Sequence, residues 1–221
     1  KDMWIFTYGS DMYDPGFEVD EKREGWVKGF VRRFYAISTK KHGTPEAPGR
    51  TLTMVRDPGA WIWGYLMKVS EEDKEKVLTY MAENADPGEI PQVVEMGYAK
   101  SSSTEGGGIF GGKALSYVMD PKSEFYGKTD NSTTIARDVV MGVGEKGSGA
   151  GHLLGIFNTM GEISGFDRTE GFEIDHHVDD VVEALPKTWR QERGFALKKT
   201  RLKREAFVPK TRTPAVTTYN A

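Results

Sequence analysis

Between Trp4 and Val69 the chain is a series of strand-like runs broken by turn residues, which commits its first half to a β meander. Trp4–Thr7 is a short aromatic strand that runs straight into Tyr8-Gly9-Ser10, with the turn signal Asp14-Pro15-Gly16 soon after. Gly25–Tyr35 reads as a second strand, and the Pro- and Gly-rich stretch His42–Arg50 as a loop. Thr51–Val55 and Ala60–Val69 read as two strands joined by a hairpin at Arg56-Asp57-Pro58-Gly59. Helical patterning begins only at Ser70, a candidate N-cap followed by Glu71, Glu72 and Asp73 and by an apolar face of Val77, Leu78 and Met81. Pro87-Gly88 ends that helix. Val93–Lys100 and Lys113–Met119 are expected strands around the glycine-rich linker Ser101–Gly112, and Thr133–Met141, His152–Met160 and Phe172–Leu185 are expected helices.

The 221 residues suit one domain plus a tail, and 38% hydrophobic with 29% charged residues allows a core inside a well-solvated surface. The composition changes at Pro186, after which the chain is strongly basic. Residues 1–185 are therefore expected to form the domain and 186–221 a solvated basic tail; an arm touching RNA or an acidic protein is the lesser reading. A net charge of −3 gives no general field for nucleic acid or an anionic membrane, so neither is expected as a partner. The chain has no cysteine, which excludes disulfides and thiolate metal sites and fits a reducing compartment. No apolar run approaches the roughly 20 residues of a membrane span, and the opening residues lack a secretory apolar region. The sequon Asn131-Ser132-Thr133 has no secretory context, and the expected location is cytoplasmic.

Three motif-like signals do not hold up. Gly142-Val143-Gly144-Glu145-Lys146-Gly147 fits G-x-G-x-x-G but follows a helical segment rather than a strand, which argues against a dinucleotide site. Gly106–Gly112 lacks the Lys-Ser/Thr of a phosphate loop. Glu173 with His177, or His176 with Asp180, has helical spacing but no third ligand, so no metal is expected.

Four collinear segments carry a resemblance. Trp4–Phe17, containing Tyr-Gly-Ser; Val27–Tyr35; the loop His42–Arg50; and Gly171–Val178 together resemble the ChaC family of glutathione-specific γ-glutamylcyclotransferases. The resemblance implies an α+β fold, a γ-glutamyl cyclotransferase-like small mixed β-barrel with flanking helices. It implies cleavage of glutathione to 5-oxoproline and cysteinylglycine, with no cofactor and with a small γ-glutamyl compound as the binding partner. Tyr8, Gly9 and Ser10 are then expected at the glutamyl end of the substrate, and Arg33 and Arg50 at its carboxylates. Tyr126, in Phe125-Tyr126-Gly127, is expected to line the pocket.

The chain also departs from the family's pattern. Asp11 follows Ser10 where the family has Leu, placing a carboxylate beside the substrate's own unless Asp11 points away or pairs with Arg. The family's catalytic Glu lies in Tyr-Leu-x-x-Arg-Glu, and ungapped alignment from Tyr80 puts Ala85 at that position. Aligning backwards from Val93-Val94 puts Glu83 there, and Glu83 is the expected general base. Asp86 is the next candidate and Glu89 a further one. A site without a base remains open, as does action on other γ-glutamyl compounds.

Overall fold

The computed structural model describes residues 2–99, 109–163 and 176–194. Most of the glycine-rich linker, the start of the expected Phe172–Leu185 helix and residues 195–221 of the tail lie outside the described residues. Five strands form a closed barrel: β1 (Met3–Thr7), β2 (Glu21–Ser38), β3 (Gly49–Val69), β4 (Glu89–Ala99) and β5 (Ile109–Met119), ordered β1-β3-β2-β4-β5. Neighbours are antiparallel except β1 and β5, which meet in parallel at Ile5 and Leu115 and close the ring. The barrel is therefore mixed, as the resemblance implied.

β1 is covered on both faces, and this is why Trp4–Thr7 reads as a continuous apolar run rather than an alternating one. Phe6 joins the main core with Phe34, Leu66, Val94 and Val118. Ile5 points the other way, with Met67 and Val69, into a smaller cluster capped by Val77 of α1 (Lys74–Asn84). Ser70 does not cap that helix directly: its Oγ accepts the Asp73 amide at 3.1 Å in a preceding turn, and the helix starts at Lys74. A second cover of α2 (Ser132–Met141), α3 (Gly149–Glu162) and α4 (His177–Glu183) adds Ile135, Val139, Leu153, Ile156, Val178 and Val181 to the main core. After Pro186 the chain forms α5 (Lys187–Glu192), and Trp189 still packs against the core at the start of the basic segment.

The hairpin expected at Arg56–Gly59 is absent. β3 runs unbroken from Gly49 to Val69 and pairs with β2 on both sides of these residues. Between the pairs Phe30–Arg56 and Lys28–Trp61, residues 57–60 of β3 face Gly29 alone, which takes a φ of +82°. Pro58 has no amide proton for the ladder, so the turn-like residues form a bulge, which bends the strand without reversing it.

The loop from Thr39 to Pro48, between β2 and β3, is fixed by one buried carboxylate. Asp86 is 2% exposed and accepts hydrogen bonds from Ser38 Oγ at 2.9 Å, the Lys40 amide at 3.1 Å and the Lys41 amide at 3.2 Å. Beyond it the backbone is packed so closely that a Cβ on Gly49 or Gly142 would lie about 2 Å from the His42 carbonyl oxygen. The short hairpin of β6 (Val143–Gly144) and β7 (Gly147–Ser148) uses this room, and the Glu145 and Lys146 amides donate to the Lys40 and Lys41 carbonyls at 2.9 and 2.8 Å. The G-x-G-x-x-G segment is thus a turn that clamps the loop.

His42 from this loop stacks on His152 of α3 with ring centroids 4.1 Å apart, and both are buried. Burial holds the His152 pKa well below the ordinary imidazole value, and the neighbouring His42 and Lys41 push it the same way. His42 is lowered too, by burial, with the Gly147 carbonyl acting in the opposite sense.

Two outcomes are expected. Asp86→Ala strands a buried hydroxyl and two buried amides, and urea unfolding should show a loss of about 2–4 kcal/mol. For His152 the unfolded chain takes up a proton that the folded chain refuses, so stability falls as pH drops below about 6.5. Unfolding free energies of His152→Gln between pH 8 and 5 should show a shallower acid loss than the parent, by up to about 1.4 kcal/mol per pH unit.

Candidate active site

The C-terminal end of β1 opens into a cleft. Thr7 leads through Tyr8 and Gly9 into a 3-10 turn at Ser10–Met12, whose first bond runs from the Met12 amide to the Gly9 carbonyl at 3.1 Å. The Ser10 and Asp11 amides precede that bond, so the turn itself supplies them no acceptor. A Cβ on Gly9 would meet no atom within 4 Å, which leaves the backbone open on the cleft side. Tyr8 anchors the segment: its hydroxyl donates to the Tyr117 carbonyl at 2.7 Å, and burial raises its pKa. On the other side Arg32, 1% exposed inside the barrel, donates to the carbonyls of Tyr8, at 3.3 Å, and Trp63.

The cleft has two adjoining chambers. The inner one is bounded by Tyr8–Asp11, Thr51, Ser116 and His152; the outer one by Asp14, Tyr80, Asn84, Ala85 and Lys146. Ser10, Asp11, Lys41 and Glu89 line both. Lys41 Nζ lies 2.6 Å from Glu89 Oε2, and that oxygen also accepts the Asp86 amide at 2.7 Å. Burial works against the Lys41 charge, but Glu89, Asp11 and Asp86 outweigh it and raise its pKa. Asp11 is exposed and lines both chambers. Desolvation pushes its pKa up to about 6, with Glu89 and Asp14 adding to the rise and Lys41 and Lys146 opposing it. Tyr13 is pushed up to about 12 by burial and by Asp14 and Asp11.

The residues expected at the site divide sharply. Tyr8, Gly9, Ser10 and Asp11 come together at the cleft. Glu83 is exposed on α1 and is not among the residues lining either chamber. Asp86 lies beneath the loop, both oxygens engaged. Arg50 donates to Asp138 at 2.9 Å and to the Phe34 and Gly127 carbonyls at 3.2 and 2.6 Å, tying β3 to α2 and to the segment before it. Arg33 donates to the Arg32 carbonyl at 2.6 Å, and Tyr126 forms a bridge with Ala36 and packs edge-on to Tyr35; none of these three lines the cleft. Lys41 and Lys146 were not anticipated, because they reach the cleft only through the loop-hairpin pairing. Among the described residues no group of His, Asp and Glu is arranged to hold a metal, and no helix is long and apolar enough to cross a membrane.

Comparison with known proteins agrees with this architecture. A human protein, glutathione-specific gamma-glutamylcyclotransferase 1, is 29% identical over 198 residues, covering 88% of this chain and 85% of its own. Gamma-glutamylcyclotransferase 2-1 of Arabidopsis thaliana is 26% identical over 86% of this chain and 83% of its own. The crystal structure of a yeast γ-glutamyl cyclotransferase specific to glutathione superposes with a TM-score of 0.70 at 18% identity, over 83% of this chain and 95% of that one. It shares the fold. The family profile described as "ChaC-like protein" matches residues 3–188, and the chain belongs to that family.

Proposed function

We propose that the protein closes the γ-glutamyl group of glutathione on itself, releasing 5-oxoproline and cysteinylglycine. One observation carries this reading: the open backbone of Gly9–Asp11 and the charged side chains Asp11, Lys41 and Glu89 line one two-chambered cleft at the end of a barrel strand. The relatives of similar sequence are named for that reaction.

The chemistry matches the inventory. The α-amine of the glutamyl group attacks its own γ-amide carbonyl, so a carboxylate must first take a proton from the ammonium. The oxyanion that develops needs fixed N–H donors, and the Ser10 and Asp11 amides stand at the open turn. Lys41 supplies the positive charge that faces the substrate's α-carboxylate, held in place by Glu89. Arg50 and Arg33 act in the scaffold. The base comes from the carboxylates lining the cleft, and Glu83 lies outside them.

A second reading has a specific observation behind it. Ala85 stands at the ungapped position of the family's Glu and lines the outer chamber, so the fold could instead bind a γ-glutamyl compound without turning it over.

Incubation with millimolar glutathione, with 5-oxoproline and cysteinylglycine measured, separates the two. The expected result is product formation, unchanged in Glu83→Gln, with kcat/KM about 10²-fold lower in Lys41→Met because Glu89 is left unpaired. No product from glutathione, but turnover of other γ-glutamyl dipeptides, would keep the reaction class and change the substrate. No product from any of them, with retained binding, would favour the second reading.

A further inference from the structure

Cyclisation needs a carboxylate that touches the α-ammonium and is free to take its proton. The carboxylates of the segment after α1 are already tied to protein groups. Asp86 has both oxygens bonded to the loop, and Glu89 is bound through Oε2 to Lys41 Nζ at 2.6 Å and to the Asp86 amide at 2.7 Å. Glu83 is outside, and Ala85 offers the cleft only a methyl group. Asp11, from the opposite wall, lines both chambers, and among the described residues its carboxylate has no hydrogen-bond or ion-pair partner. Asp14 lines the outer chamber alone and continues onto an exterior groove, whereas Asp11 reaches the inner chamber as well. On the ungapped alignment the chain differs from the family's pattern at two positions on one cleft: a carboxylate where an apolar residue is usual, and alanine where the carboxylate is usual.

We propose that Asp11 is the catalytic acid-base residue, having taken over from the opposite wall the role that Ala85 cannot perform. This rests on the cyclisation reading above. The Asp11 carboxylate removes one proton from the α-ammonium, and the freed lone pair forms the N–C bond at the γ-carbonyl while the C=O π pair moves to oxygen. The acid then protonates the amide nitrogen as the oxyanion re-forms C=O and the old C–N bond breaks. Asp11 next takes the surplus proton from the ring nitrogen and passes it to the departing amine. The lactam keeps one of the three original ammonium protons, the amine gains two, and Asp11 ends as it began.

A carboxylic acid pushed up to about 6 suits both transfers, since the base form dominates at neutral pH and the acid form is accessible. The groups facing Asp11 are Lys41 and His42 from the loop, Tyr80 from α1, Glu89 from β4 and Tyr117 from β5. Lys146 from the β6–β7 hairpin, His152 from α3, and Tyr13 and Asp14 from its own segment complete them. Burial lowers the pKa of both histidines, and the acid limb of activity is assigned to Asp11.

The test is 5-oxoproline formation between pH 5 and 8.5, with glutathione and γ-glutamyl dipeptides as substrates, for the parent, Asp11→Asn, Asp11→Leu and Asp11→Leu/Ala85→Glu. The expected result is a parent rate that rises with pH through about 6, and a kcat 10²- to 10⁴-fold lower in Asp11→Asn with little change in KM. Asp11→Leu/Ala85→Glu, which restores the family's pattern at both positions, should recover at least about tenfold over Asp11→Leu, a gain that a folding defect at position 11 would not give. An Asp11→Asn rate within threefold of the parent, or one that keeps the acid limb, overturns the assignment to Asp11 and leaves the cyclisation reading standing. A parent inactive on every γ-glutamyl compound overturns both.

Discussion

The position of β1 governs everything else in this molecule. It is five residues long, lies between β3 and β5, and makes the parallel contact at Ile5 and Leu115 that closes the barrel. A strand with neighbours on both edges and apolar cover on both faces has no freedom to slide, because a one-residue slip would exchange Phe6 in the main core with Ile5 under α1. Ser116 Oγ, donating to the Phe6 carbonyl at 2.9 Å, and the Tyr8 hydroxyl on the Tyr117 carbonyl lock the register to β5. The chain therefore leaves the barrel at a fixed point. The backbone of Gly9–Asp11 is preorganised by the same bonds that close the sheet, which is the condition for N–H donors to lower a barrier rather than reorganise during it.

The opposite wall is built by a different device. The loop after β2 has few apolar side chains, so it is held by polar groups and by close backbone approach. Asp86 gathers its amides, and the glycines at 49, 142 and 144 let the β6–β7 hairpin approach its carbonyls. Burying an anion is costly unless its acceptors are filled, and Asp86 meets that condition through the loop it orders. Lys41 emerges from this arrangement and meets Glu89, which enters from the first residue of β4. A buried ion pair contributes little net stability but fixes geometry, and here the geometry is that of the cleft.

What the sequence conveyed follows from how local each signal was. The aromatic run Trp4–Thr7, the Tyr-Gly-Ser turn and the His42–Arg50 loop are contiguous, and each stands where its pattern implied, except that Gly49 and Arg50 already belong to β3. Arg56–Gly59 misled because Pro58 and Gly59 mark an interruption of strand pairing without saying whether the chain turns back or bulges; the long partner β2 decided it. Arg50 could not be told from a ligand-binding arginine, since its partners, such as Asp138 and Gly127, lie far along the chain. Lys146 was hidden for the same reason. Glu83 drew attention through an alignment that needed two deleted residues. In the fold, α1 runs through Asn84, Ala85 turns extended, and Ala85 rather than Glu83 lines the cleft.

On the ungapped alignment, the position of Ala85 in the cleft changes the meaning of the two departures from the family's pattern. Taken singly, Asp11 is a charge placed where it should repel a carboxylate substrate, and Ala85 is a lost base. Both line the outer chamber, and that shared position is the ground for proposing them as one substitution across a cleft. Repulsion of the substrate's carboxylate is set against Lys41 and Lys146, both of which act on Asp11. Attraction of the α-ammonium is what a base requires. A catalytic carboxylate must meet its proton at hydrogen-bond distance, and which strand or helix carries it is immaterial to the chemistry. The constraint is on the empty space between the walls. As long as β1 and the Asp86-bound loop hold that space constant, the proton acceptor can be presented from either side.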